Sequence, residues 1–225
     1  DSKIVNIFFV FGLVGMIMGS VNAILEKDIR RMVAFSSVAQ IGYIYMGFGL
    51  GTTFGIVASV FHILSHAATK SLLFIASVGL TDASNKSSDF EDLTGSGYRN
   101  PVAGIAFTIG ACSMVGIPMF SGFISKLLFA QAAVQNSLLK LLPTLICLAI
   151  STVLNAIYFM KTVIRIYTPA STVRYGYLKR AVGSDVKAYP VYTFSLLLLI
   201  LLNMVLGCCS QPIVNWIISG LGMFG

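Results

Sequence analysis

Charged side chains are scarce in this chain of 225 residues. Asp, Glu, Lys and Arg together make up 10% of it, whereas 56% of it is apolar. With a mean hydropathy of +0.88, this composition excludes an ordinary soluble domain and indicates an integral membrane protein. Only eight residues are acidic, and none of them falls within a long apolar segment. We therefore expect no carboxylate at bilayer depth.

Motifs for redox chemistry and metal binding are also lacking. The four cysteines have no CxxC spacing, which excludes the common zinc and iron–sulfur arrangements, and we interpret them as packing residues. No nucleotide-binding loop or quinone-specific motif is present. We expect no cofactor and no metal on this chain, so any redox chemistry belongs to partner subunits.

The apolar segments predict an all-α, polytopic membrane protein. Five of them are near or above the length that a bilayer core requires, at 4–25, 32–50, 54–80, 139–160 and 191–206. The stretch 101–135 is too long for one regular span and is interrupted by Gly and Pro, so we interpret it as a single discontinuous crossing. The sequence thus predicts about six transmembrane helices in one membrane domain, 1–225, with the segment 213–224 at an interface.

The distribution of positive charge supports six crossings. With that number the loops 26–31, 81–100 and 161–190 share one side and hold eleven of the fifteen Lys and Arg. Basic loops face the cytoplasm in most membrane proteins, so we expect the polar loop 81–100 and the basic loop 161–190 there and the N-terminus outside. The net charge of +7 is then a topology signal, and we expect no nucleic acid partner.

Three basic residues recur inside the third apolar segment. His62, His66 and Lys70 are spaced by four, which places them on one face of a helix. Ionisable groups at bilayer depth are costly unless they face protein, water or a counter-charge, and they typically mark ion or proton routes. Histidine titrates near neutral pH, so the row could pass protons in steps.

Other interpretations of this row remain open. The spacing of His62 and His66 is also that of a zinc-binding helix, but Ile63 stands where such proteases carry their glutamate, and no third ligand is evident. The histidines could instead be satisfied core residues, with Lys70 reaching the interface. A structural subunit whose polar row only joins helices is the corresponding functional alternative.

The run VGIPMFSGFISK predicts a break in the discontinuous crossing. Pro118 cannot continue a helix, and Gly116 and Gly122 give the backbone freedom beside it. Broken backbone at bilayer depth is tolerated where it lines a cavity or is buried in protein, and such breaks recur at ion sites. Lys126 follows one turn later. A simple proline kink, with Lys126 extending to the interface, is the alternative.

A polar stripe marks the second apolar segment. Ser36, Gln40 and Tyr43 follow one another at helical spacing, and Arg30 precedes them. Such a stripe can join helices or line water. We regard Arg30, Ser36 and Gln40 as candidates for the entrance of a path or for tuning its field; anchoring of the helix is the simpler role for Arg30.

Three runs, in this order, resemble one known family. They are EKDIRRMVAFSSVAQIGYI at 26–44, VFHILSHAATKSLLFIAS at 60–77 and GIPMFSGFISK at 116–126. The family comprises the antiporter-like, proton-conducting membrane subunits of respiratory complex I, Mrp-type cation/proton antiporters and membrane-bound hydrogenases. By this resemblance, 26–126 is the core of a proton channel.

The resemblance implies further expectations. Family members contain two inverted five-helix repeats, and this chain is similar to the second repeat plus one final helix, so it is expected to be a fragment or a split subunit. His62, His66 and Lys70 match the connecting basic positions, and Lys126 matches the terminal lysine. Arg30 departs from the usual lysine, and arginine cannot relay a proton by losing one.

Together these features predict a proton half-channel within a larger complex. The expected partners are other membrane subunits and the lipid of a bacterial or archaeal cytoplasmic membrane. The cargo is the proton, with sodium exchange by a cation/proton antiporter as the alternative. The parent complex, whether complex I-like, hydrogenase or Mrp, is left open by the motifs.

Overall fold

The computed structural model describes residues 2–169 and 190–223. Within these ranges the chain is helical and contains no β-strand, only an isolated bridge between Asp28 and Asp89. The helices are α1 (Ser2–Leu25), α2 (Ile29–Gly49), α3 (Thr53–Asp82), α4 (Ser96–Arg99), α5 (Pro101–Val115), α6 (Ser121–Val134), α7 (Leu138–Tyr167), α8 (Pro190–Cys208) and α9 (Ser210–Leu221).

The all-α, polytopic membrane architecture is confirmed. Four of the described helices, α1, α3, α7 and α8, are long and apolar enough to cross a bilayer. Helix α2 has 21 residues but carries Arg30 and Arg31 in its first turn, which lowers its hydropathy. At 1.5 Å per residue it is still about 30 Å long, the thickness of a hydrocarbon core.

One predicted loop is partly wrong. The loop 161–190 was expected to begin at Lys161, but α7 continues to Tyr167, and its last turns carry Lys161 and Arg165. A prediction from hydropathy ends the span at the first charged residues, whereas the backbone hydrogen bonds of the helix continue past them. Residues 170–189 of that loop lie outside the described residues. Of the predicted loop 81–100, the first two residues belong to α3, which extends to Asp82, and the last residues include the short α4.

The discontinuous crossing is formed by α5 and α6. Asn100, just before α5, donates its side-chain amide to the Gly79 carbonyl near the end of α3. At the far end of α6, Asn136 donates to the Leu50 carbonyl, where α2 ends. The two half-helices therefore traverse the bundle together, with residues 116–120 as the link between them.

The loops expected to share a side do meet at one end of the bundle. The backbone of Phe90 bonds to Lys27, and that of Gly95 bonds to Arg165. Asp28 caps α2 by accepting from the backbone N–H groups of Arg30 and Arg31. We call the end formed by 26–28, 83–100 and the last turns of α7 the basic end.

Glycines bring α1 and α2 into backbone contact. A Cβ atom on Gly42 would lie 2.4 Å from the Met16 backbone nitrogen, and one on Gly12 would lie 2.2 Å from the Met46 nitrogen. Membrane helices that pack this closely require small residues at the crossing. Helix α2 carries the polar stripe on another side. Its close contact with α1 therefore helps to fix the position of that stripe.

Replacing Gly42 by alanine should destabilise the bundle by about 1–3 kcal/mol, the usual cost of overpacking a tight interior. The measurement is thermal unfolding in mild detergent, followed by circular dichroism. Gly220→Ala is the matched control, because no atom lies within 4 Å of a Cβ built there. Equal unfolding temperatures for the two variants would contradict the close packing of α1 and α2.

Candidate functional site

The basic row faces the interior of the bundle. His62 and Lys70 are 4% and 5% exposed, and His66 is partly buried. The neighbouring Ile63 and Leu64 are exposed at 42% and 44%, so α3 turns its apolar side outward. The spacing of four in the sequence thus produces one buried polar face, as predicted.

Lys70 is held by α2. Its Nζ donates to the Val33 carbonyl at 2.8 Å and also to the Ser36 hydroxyl. It lies 5.8 Å from the centre of the Phe159 ring of α7, within the range of a cation–π contact. All these partners are electrically neutral. The predicted stripe of α2 therefore meets the row at Ser36.

His62 connects α3 to the second half-helix. Its Nδ1 atom forms a hydrogen bond with the Ser125 hydroxyl of α6. The ring stacks on Tyr43 at 5.4 Å between centres and meets the edge of Phe129 at 5.4 Å. The His66 ring lies 6.1 Å away, nearly parallel at 15°. The imidazoles thus follow one another toward α6.

Each imidazole has one buried nitrogen that lacks a partner among the described residues. His62 Nε2 and His66 Nδ1 are buried and form no hydrogen bond within the described part of the chain. Leaving a buried polar atom unpaired costs about 1–3 kcal/mol, and such atoms normally bind ordered water. These two atoms are therefore positions for water along the row.

Lys126 bonds to the end of the first half-helix. Its Nζ donates to the Val115 carbonyl at 2.7 Å and the Met114 carbonyl at 3.0 Å. Helix ends leave carbonyls without partners and carry partial negative charge, so a cation is favoured there. Gly116 makes room for it, since a Cβ at that position would lie 3.1 Å from Lys126 Cδ.

The break itself is confirmed, but Gly122 has a different role from the one predicted. The link uses Gly116, with a φ of +92°, and Met119, with a φ of +81°, a conformation that side chains other than glycine rarely adopt. Gly122 lies inside α6. A Cβ there would approach the Ser113 carbonyl oxygen to 1.9 Å, so Gly122 permits contact between the half-helices and supplies no flexibility.

A cluster of hydroxyl groups surrounds the break, and sequence reasoning missed it. Ser65 donates to Ser121 at 2.8 Å, and Ser121 donates to the Asn203 side-chain carbonyl at 3.2 Å. Asn203 in turn donates to Thr69 at 2.6 Å, which lies 3.4 Å from Ser113. The sequence contained one signal for this cluster: Asn203 is the only polar residue among the eleven positions 196–206 of an apolar segment.

Residues 1–155 match the family described as NADH:quinone oxidoreductase/Mrp antiporter, TM. The chain belongs to this family. It is accordingly an integral membrane protein, and the resemblance of its three motif runs is confirmed.

Relatives of several kinds match the chain. It is 33% identical to NADH-quinone oxidoreductase subunit N of Desulforudis audaxviator over 155 residues, which cover 68% of this chain and 30% of the relative. It is 34% identical to a Na(+)/H(+) antiporter subunit of Alkalihalophilus pseudofirmus over 139 residues, covering 56% and 17%. The chain thus spans less than half the length of these family members.

Solved structures share the fold. The match to the Mrp complex of a Dietzia species has a TM-score of 0.80 at 25% identity and covers 98% of this chain and 47% of the other. The match to the membrane-bound sulfane sulfur reductase, an archaeal respiratory membrane complex, has a TM-score of 0.82 at 26% identity, covering 99% and 42%. Both structures are of complexes, which supports the expectation that the partners of this chain are other membrane subunits.

One candidate residue of this family member, Arg30, does not contact the row directly. Arg30 donates to the Thr81 hydroxyl at 3.1 Å; Thr81 lies eleven residues beyond Lys70, about 16 Å along the helix. The Gln40 side chain is buried, and its amide nitrogen has no partner within residues 2–169 and 190–223. Among the described residues, no third His, Cys, Asp or Glu completes a metal site with the two histidines.

Asn203→Leu should lower the stability of the bundle by about 1–3 kcal/mol, because the buried Ser121 hydroxyl loses its acceptor. Thermal unfolding in detergent measures the change. Ser195→Leu on the same helix is the control, since the one bond of Ser195 to a described residue is to Val191 of its own helix. If both variants unfold at the same temperature as the parent chain, the cluster around the break does not hold the half-helices in place.

Proposed function

We propose that this chain carries a proton half-channel across the membrane within a larger complex. The observation that carries the proposal is the environment of two lysines, of which Lys70 is buried and Lys126 partly buried. In the part of the chain that the structure describes, both are bound by neutral oxygens alone, from carbonyls and one hydroxyl. A carboxylate partner would hold the proton on an amine, whereas neutral oxygens let it come and go. Both amines can therefore act as temporary carriers.

The polar groups between the lysines can pass the proton onward. A neutral imidazole and a hydroxyl each donate at one site and accept at another. From Lys70 the order along α3 is His66, then His62, whose ring bonds to Ser125. Ser125 directly precedes Lys126 on α6. Water at the two unpartnered imidazole nitrogens would complete the sequence of carriers.

The direction follows from the charged loops. Basic residues favour the cytoplasmic side, so we place the basic end in the cytoplasm and the N-terminus outside. Lys70 lies twelve residues before the end of α3 at the basic end, and Lys126 lies on the half-helix that runs to the opposite end. Protons would thus enter toward Lys70 and leave past Lys126.

The driving force would come from other subunits. The relatives are named as subunits of NADH-quinone oxidoreductases and of a Na(+)/H(+) antiporter, and the similar solved structures are of complexes. A change of charge in a neighbouring subunit would alter the proton affinity of the two lysines through the low-dielectric interior. The chain itself would then supply the path and no redox chemistry.

Sodium exchange is the second candidate, because one relative is named as part of a Na(+)/H(+) antiporter. Hard cations prefer carboxylate and carbonyl oxygen ligands. In the described helices that cross the bundle, the only acidic residue is Asp82, at the last position of α3. The groups at the site are basic or neutral, which favours protons over sodium.

Lys126→Arg should reduce proton transport by the reconstituted complete complex at least about tenfold, since proton transfer by a positioned group typically contributes ~10²–10⁴ in rate. Arginine retains charge and donors for the α5 carbonyls, but it does not release its proton. Uptake is measured in vesicles with a pH-sensitive dye. Lys140→Arg is the matched control, because Lys140 also donates to a helix-terminal carbonyl, that of Gly49, but away from the row.

His66→Ala should lower the same uptake several-fold without changing the amount of assembled complex, because it removes one carrier from the row. The loss should not depend on external sodium. Full uptake in both His66→Ala and Lys126→Arg would remove the half-channel proposal, and a requirement for sodium would favour the antiporter.

A further inference from the structure

A second polar face lies on α7, apart from the basic row. It consists of buried residues at helical spacing, Thr144, Ser151, Asn155, Tyr158 and Thr162, each at most 3% exposed. Most of the opposite face is apolar and exposed, including Ile146, Ile150 and Val153. A helix in a membrane gains nothing by burying polar groups unless they find partners, so this face indicates a polar interior along α7.

The face on α7 meets the polar stripe of α2. We define the α2–α7 chamber by Gln40, Tyr43, Ser151, Asn155 and Tyr158. The Tyr158 hydroxyl donates to the Asn155 side-chain oxygen, and the Tyr43 hydroxyl lies opposite Ser151 without completing a hydrogen bond. The chamber is therefore polar on both walls.

Three polar atoms of this chamber are buried without partners in the described part of the chain. They are Gln40 Nε2, the Tyr43 hydroxyl and Asn155 Nδ2. Their side chains are 2%, 0% and 0% exposed, so lipid and bulk solvent do not reach them. Leaving three buried polar atoms without hydrogen bonds would destabilise the fold by several kcal/mol. One buried water molecule typically forms hydrogen bonds with about three such groups. The region is suited to bind water.

The chamber touches the basic row at two places. At one, Lys70 donates to Ser36, and Ser36 lies within reach of the Tyr158 hydroxyl. At the other, the Tyr43 ring stacks on His62. His66, which lies between these two points on α3, is not part of the chamber. A chain of water molecules here would run beside His66 and connect to the row at Lys70 and at His62.

We propose that the α2–α7 chamber holds ordered water that provides a second proton route between Lys70 and His62, parallel to the route through His66. The route rests on the proposed function of the row. At each step a water or tyrosine oxygen accepts one proton and releases another, so no group is oxidised and no net charge stays behind. The Gln40 and Asn155 amides orient the water and carry no proton.

The first measurement asks whether water is present. Hydroxyl radicals generated by X-rays from bound water label nearby side chains, even buried ones. In the complete complex, Tyr43 and Tyr158 should be labelled, whereas the equally buried Phe107, in the apolar core, should not. Absence of label on both tyrosines would overturn the proposal whatever the transport results are.

The second measurement asks whether the water conducts. If the routes are parallel, Asn155→Leu alone lowers proton uptake by about twofold, and Asn155→Leu combined with His66→Ala lowers it at least about tenfold, to the level of Lys126→Arg. Tyr43→Phe, which removes only a hydroxyl, should reproduce the effect of Asn155→Leu with less risk to folding. Tyr45→Phe is its control, since Tyr45 is 44% exposed on the same helix.

The outcomes separate this inference from the half-channel. If Asn155→Leu and Tyr43→Phe cause no further loss in the His66→Ala background, the second route is overturned while the row still conducts. If His66→Ala and Lys126→Arg transport at the parent rate, the half-channel itself fails, and with it the conducting role of the chamber, although the labelling still reports its water.

Discussion

The contact between Lys126 and the free carbonyls of Met114 and Val115 supports the rest of the site. Ending a helix inside a membrane leaves carbonyls that water cannot satisfy, which would cost several kcal/mol for each group. The lysine satisfies two of them, and in return the partial negative charge of the helix end stabilises the ammonium in a place where charge is otherwise expensive. The break and the lysine therefore stabilise each other.

The surroundings of the break are polar enough to hold this arrangement, because hydroxyl and amide groups of three helices meet there. The Ser121 and Ser125 hydroxyls, one turn apart on α6, bond toward Ser65 and His62 of α3. Asn203 of α8 closes the cluster from the other side. The half-helix that carries Lys126 is therefore fixed to the helix that carries the basic row, so packing sets the distance between Lys126 and the row.

Much of the fold followed from simple patterns. Hydropathy and the placement of Lys and Arg predicted the spans and the side shared by the basic loops, because bilayer thickness and loop charge are properties of short segments. The break at Pro118 and the inward orientation of His62 and Lys70 were likewise local, since they depend on backbone chemistry and on a spacing of four.

The rest depended on contacts between distant segments. Gly122 looks like a flexible residue in the sequence, and its role appears only when Ser113 is placed against it. Asn203, Thr69 and Ser121 are separated by as many as 134 residues along the chain, and no pattern in one segment pairs them. The length of α7 was also underestimated, because charge ends a hydrophobic run before it ends a helix.

Chemical restoration of the amine at position 126 tests the central claim most directly. Proton uptake by the complete complex would be measured in vesicles with Lys126→Cys, before and after aminoethylation of the thiol, with the parent chain treated in the same way as a control for its own cysteines. The half-channel predicts that uptake is lost in the cysteine variant and recovers when the amine is rebuilt. Uptake at the parent rate in the untreated cysteine variant would contradict it.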